Sequence, residues 1–129
     1  MNTKLVMITS ALFLGAIGIG LTFAPQEIAG LGSITCTKGL LLIMQLMGAL
    51  YFSFAMLNWM AKGTIIGGIY NKPVAIGNFT HFFIGALALL KVILHNFNLP
   101  SVVYVLGGIY IIFAILFGII FFRHPGQSE

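Results

Sequence analysis

Charge is what this chain has least of. Of 129 residues, six are Lys or Arg and two are Asp or Glu, 6% in all, where an ordinary soluble domain carries roughly 25%. So few charges cannot hold a surface of this size in water, which excludes a soluble globular domain. Disorder is excluded as well, because it requires low hydrophobicity, and 60% of these residues are hydrophobic, with a mean hydropathy of +1.10. Carboxylates are almost absent: Glu27 and Glu129 are the two, and neither lies in an apolar run. That argues against carboxylate acid–base catalysis and against a proton-coupled transporter of the usual Asp/Glu type. The single cysteine, Cys36, cannot close an intrachain disulfide, and no Cys/His spacing resembles a structural zinc site, so neither a metal nor a cofactor is expected. The net charge is +4, but Lys4, Lys38, Lys62, Lys72, Lys91 and Arg123 are scattered. Nucleic acid, which requires a clustered basic footprint, is not an expected partner.

What the chain does have is four long apolar runs, at about 5–24, 38–61, 73–95 and 100–122, each near the roughly 20 residues that a bilayer crossing needs. The solvent is therefore lipid, and the expected fold is all-α: one membrane domain over 1–129, an integral membrane four-helix bundle. The first run is long enough to span and has more spans behind it, so it reads as a membrane helix rather than a signal peptide. Pro73 and Pro100 suit helix starts, where a missing N–H is not needed. Between Lys62 and Lys72 the connection carries Ile65, Ile66, Gly67, Gly68, Ile69 and Tyr70. This apolar loop reads as an interfacial turn anchored by Tyr70, with a re-entrant segment as the alternative. The connection from Pro25 to Thr37 reads as polar and Gly-rich. Four spans put Lys4, Lys62, Lys72 and Arg123 on one side against Lys38 and Lys91 on the other, so both termini are expected in the cytoplasm.

On a helix, each residue turns by about 100°, which places Asn78, His81, Gly85 and Ala88 on one stripe suited to a bundle contact. Phe82, Ile84, Leu87, Leu90 and Leu94 then face lipid or neighbouring subunits. Antiparallel neighbours joined by the 62–72 loop bring Asn58 level with Asn78, with His81 one turn deeper. The sequence can assemble one polar cluster from these parts: Asn58, Trp59, Lys62, Asn78 and His81, roofed by Gly67, Gly68 and Tyr70. Two readings compete. In one, the cluster is a pocket opening at the cytoplasmic interface, with His81 as hydrogen-bond partner or proton acceptor. In the other, which weighs more, the amides and imidazole stitch helices together while Trp59 and Lys62 anchor in headgroups. Small residues spaced by four, Ala11/Gly15, Ala16/Gly20 and Ala114/Gly118, offer faces for tight helix contacts. An internal match sets Gly48–Leu57 against Gly107–Leu116, sharing Gly, Tyr, Phe, Ala and Leu at five of ten places.

The strings Gln45–Tyr51, Leu57–Gly63, Gly67–Pro73 and Gly77–Phe82 resemble small bacterial four-helix membrane proteins of a loosely DoxX-like kind. The resemblance implies a bacterial inner-membrane location and brings no site residue with it. The resemblance supplies no activity; the small-residue faces support a non-catalytic module, self-associating or an accessory subunit of a larger membrane assembly, with the lipid bilayer and other copies or subunits as its partners. Two alternatives stand beside it: a small oligomeric transporter or channel, and a binder or enzyme for an apolar ligand using the pocket around His81. No nucleophile, base and orienting group come together, so enzyme is the minority reading.

Overall fold

The computed structural model describes residues 2–64, 70–96 and 98–122. Those residues form five helices: α1 (Thr3–Phe23), α2 (Pro25–Leu31), α3 (Lys38–Ala61), α4 (Lys72–His95) and α5 (Ser101–Phe122). Four of them, α1, α3, α4 and α5, are long and apolar enough to cross a membrane. Their bounds fall within two residues of the apolar runs, because hydropathy changes sharply at the bilayer edge and helix is the way a single segment satisfies its own backbone there. Side chains start two of the helices: Asn2 accepts from the Leu5 N–H at 3.3 Å, and Thr37 accepts from the Leu40 N–H at 3.2 Å.

The connection read as polar and Gly-rich holds α2 instead. Pro25 occupies its first turn and Ala24 before it leaves helical geometry, at φ −133° and ψ 51°, since a residue preceding proline is pushed out of the α region. The chain therefore stops one helix and begins another. α2 folds back on α1, seating Ile28 against Gly20 and burying Ala29.

Packing is unequal around the bundle. α1 lies close along α3, and α4 along α5, whereas α3 and α4, although consecutive, touch only sparingly, as do α1 and α5. The α1–α3 seam is backbone against backbone. A Cβ built on Gly18 would lie 2.7 Å from the Phe52 nitrogen, and one on Gly48 would lie 2.8 Å from the Gly18 oxygen. In the α4–α5 seam, glycines receive side chains instead: Gly85 takes the Tyr110 ring and Gly118 takes Phe79. Ala11, Ala114 and Gly118 are buried within this one chain, Gly15 faces Ala55 and Gly20 faces Ile28. Most of the small residues expected to offer faces to another copy are thus occupied inside the protomer.

An aromatic core ties the two seams together. Phe82 stacks on Phe113 and Phe117, with ring centroids 4.8 and 5.7 Å apart, and Phe13 of α1 reaches Phe82, Tyr110 and Phe113. Phe82 is 0% exposed, which corrects its expected lipid-facing place. The buried residues of α4 are Ala75, Asn78, Phe82 and Ala86, a stripe rotated by roughly 100° from the one centred on His81. Aromatic bulk, more than the small residues, decides which face of α4 turns inward.

Candidate functional site

The polar residues of the bundle separate into two groups. The first is an amide bracket between α3 and α4. Asn58 and Asn78, each 0% exposed, exchange hydrogen bonds in both directions: the Asn58 amide donates to Asn78 Oδ1 and the Asn78 amide to Asn58 Oδ1, both at 2.7 Å. The second protons find partners too. Asn58 donates to Ser10 Oγ at 3.1 Å, and Asn78 to the Val74 carbonyl at 2.9 Å. Ser10 itself donates to the Met7 carbonyl. The bracket therefore joins α1, α3 and α4, and no buried side-chain nitrogen or oxygen among the described residues lacks a partner. An amide pair satisfied in this way has nothing left with which to hold a ligand.

His81 belongs to the second group. It stands one turn deeper on α4, as expected, but at the edge of the inward stripe, half-buried and without a hydrogen bond to either asparagine. Its Nε2 faces the Tyr110 hydroxyl at 3.4 Å, and that hydroxyl in turn meets the Tyr51 hydroxyl at 2.5 Å. The imidazole is stacked on Phe54, centroids 5.4 Å apart at 25°, and meets the rings of Tyr51 and Phe82 nearly edge-on. Among the described residues, its Nδ1 has no hydrogen-bond partner.

Beside this imidazole runs a groove of about 430 Å³ between α3 and α4, lined by Tyr51, Phe54, Gly77, Thr80, His81, Ile84, Gly85 and Tyr110. Its origin is local. Gly77, four residues before His81, leaves the helix bare on that side of the ring, whereas Gly85, four residues after it, is covered by the Tyr110 ring; sparse α3–α4 contact leaves the gap beside Gly77 unfilled. The groove opens sideways, past the exposed Thr80 and Ile84. At roughly 1.5 Å per residue, His81 lies about 13 Å from the Lys72 end of α4, within the apolar span and not at its rim.

No family model, curated protein or solved structure matches this chain.

Trp59 and Lys62 are drawn to each other and away from the bracket. The Lys62 ammonium stands 3.1 Å from the centre of the Trp59 ring, a cation–π contact, while Trp59 is exposed. Tyr70 is 94% exposed and so does not roof the asparagines. Gly67, Gly68 and the rest of 65–69 lie outside the described residues. Of the six candidate residues, the structure therefore joins Asn58 to Asn78, pairs Trp59 with Lys62, and leaves His81 and Tyr70 apart from both pairs. Gathering of three or more His, Cys, Asp or Glu side chains is not seen among the described residues.

Sequence reasoning missed Tyr51 and Tyr110 as partners of His81. The two tyrosines do occupy matching places in the five-of-ten internal match, 59 residues apart, but such a match does not signal a contact. Helical periodicity alone ranks a tyrosine in an apolar run as packing, and nothing in it shows that two hydroxyls will meet in mid-span.

Proposed function

We propose that this protein is a membrane-embedded binding protein, taking a small lipid-soluble molecule into the groove beside His81 from the surrounding bilayer. We place it in a bacterial inner membrane with both termini in the cytoplasm. One observation carries the binding role: a histidine deep within a span keeps a ring nitrogen without a hydrogen-bond partner among the described residues, beside an open groove. Ionisable groups at such depth are costly and are retained where they do something, and the structural requirement for helix stitching is already met by Asn58 and Asn78. The lining is mostly apolar with a few polar groups, as in small-molecule sites. The lining comes from α3, α4 and α5 of a single chain, so the groove serves equally whether the protein acts alone or as a subunit of a larger assembly.

Filling the groove tests this. A Cβ on Gly77 would have Phe54 at an ordinary 3.7 Å, so a bulky side chain there occupies the groove without entering the core. The chain purified in mild detergent is expected to retain a near-stoichiometric apolar molecule, detected by extraction and mass spectrometry. A Gly77→Phe variant with unchanged melting should lose it. Equal retention by both proteins, or none by the parent chain even after incubation with extracted membrane lipids, refutes the binding role.

A further inference from the structure

We infer that a second groove, on the outer face of the α4–α5 pair, holds one acyl chain of an anionic phospholipid whose headgroup is met by Lys72. This site is separate from the groove beside His81 and does not depend on it. Phe79 and Phe83 of α4 and Phe122 of α5 form its walls, and Ala114 and Gly118 of α5 its floor. On α4, Phe79 and Phe83 lie about 160° round the helix from His81, so the two grooves open on opposite sides of that helix.

The shape follows from residue size. Ala114 and Gly118, four apart on α5, make a low floor between bulky walls. The Phe79 wall is fixed by its neighbours: it stacks on Phe83 with centroids 5.3 Å apart and on Phe121 with centroids 6.2 Å apart, and meets Phe122 edge-on. From Phe122 to Ala114 the trough runs about 12 Å along α5, narrow and lengthwise, as an aliphatic chain requires. No lining side chain can donate or accept a hydrogen bond. The trough itself therefore recognises hydrocarbon alone, and selectivity has to come from its mouth.

Lys72 stands at that mouth. It is the first residue of α4, and seven or eleven residues at about 100° each bring Phe79 and Phe83 back to within about 20° of its own face. Phe79 lies about 10 Å deeper along the helix. Lys72 is exposed, and Glu27, the one carboxylate side chain among the described residues, is at the opposite end of the bundle, so nothing described in the chain offsets its charge. Lys62, at the same end, is already held against the Trp59 ring. An ammonium at the bilayer edge above an acyl-shaped trough complements a phosphate headgroup, the pairing by which basic sites beside membrane helices select anionic lipids. A second copy of the chain fits less well: related by a two-fold axis along the membrane normal, it would bring a second Lys72 to the same level, like charge towards like.

The test titrates the full chain in mild detergent with dioleoyl phosphatidylglycerol and dioleoyl phosphatidylcholine, which share their acyl chains and differ in net charge, and counts bound lipid by native mass spectrometry. Phosphatidylglycerol should bind about fivefold more tightly, the difference one lysine makes at an anionic headgroup. Lys72→Gln should bring it down to the level of phosphatidylcholine and leave the latter unchanged. A phosphatidylglycerol with a diazirine in mid-chain should cross-link within residues 79–83 and 114–122. Equal binding of the two lipids by the parent chain, or a preference that survives Lys72→Gln, overturns the proposal. So do cross-links spread evenly over α1 and α3, which would mean a lipid annulus without a site, and a lipid-free dimer that excludes phosphatidylglycerol, which would seat a second copy in the trough. The lipid comparison and the cross-links use the parent chain, so they decide the matter even should the variant not fold. None of these outcomes bears on the molecule held beside His81, which the Gly77→Phe variant tests.

Discussion

At the scale of single residues, two asparagines and one histidine do different work, although His81 follows Asn78 by only one turn of α4 and Asn58 of α3 lies level with that asparagine. Asn58 and Asn78 form a closed pair whose four amide protons are all used. Removing one partner strands the other where neither water nor another donor can reach it, so Asn58→Leu is expected to cost about 1–3 kcal/mol. Removing both is expected to cost less than the sum of the single changes, because the double variant leaves no orphaned amide. Thermal melting in detergent of Asn58→Leu, Asn78→Leu and the double variant checks this; strict additivity would mean that the amides do not depend on each other. The meeting of these asparagines follows from chain logic: antiparallel neighbours joined by a loop bring residues equally far from its two ends to one level. His81 departs from them because Phe82, next in sequence, is drawn into the aromatic core and turns α4 with it. Helical angle alone does not say which of two adjacent candidates wins the interior.

The four long helices could be read directly, since each is a block of apolar residues ended by a Lys, a Pro or a polar connection. α2 could not. Its helical residues Pro25–Leu31 are short, and what stabilises them is tertiary, the seat that Gly20 gives Ile28. The contact that governs α1 was also misplaced by pattern. Small residues spaced by four pointed to Gly15, yet the backbones approach most closely one turn further on, at Gly18 and Gly48. The two positions make opposite predictions. A methyl group at Gly48 meets the Gly18 oxygen and the Thr22 nitrogen, both at 2.8 Å; these are backbone atoms that cannot rotate aside. Gly48→Ala should therefore force α1 and α3 apart and destabilise by about 1–3 kcal/mol. At Gly15 the added methyl would find the Ala55 Cβ at 3.5 Å, an ordinary contact. Gly15→Ala is expected to leave the detergent melting point within about a degree or two, as a substitution that neither opens nor overfills the seam. Equal losses at the two positions would show that the seam is not where the backbones touch.

Over the whole molecule, the bundle is two tightly seamed helix pairs, α1 with α3 and α4 with α5, joined by aromatic rings and an amide bracket, and the groove lies where the pairs splay. The two seams differ in kind: Gly48 of α3 meets the backbone of Gly18 and Thr22 of α1, whereas Gly107 of α5 meets the side chains of Leu89 and Ile93 of α4. The arrangement of the helices also sets the charges. The antiparallel order places Lys4, Lys62 and Lys72 at one end and Lys38 and Lys91 at the other, while Arg123 lies outside the described residues. Retention of cationic loops on the inner side favours the first end as cytoplasmic. Cys36 makes this testable with the native thiol, for it is half-buried in the connection between α2 and α3, at the end opposite Tyr70. In spheroplasts, a membrane-impermeant maleimide should label Cys36 directly. In a Cys36→Ser background, a Tyr70→Cys variant should stay unlabelled until the membrane is opened. The reverse pattern would invert the protein in the bilayer and put the 62–72 connection outside. Labelling of both positions from the outer side would break the four-span arrangement itself, because an odd number of crossings, here α3 alone, separates them.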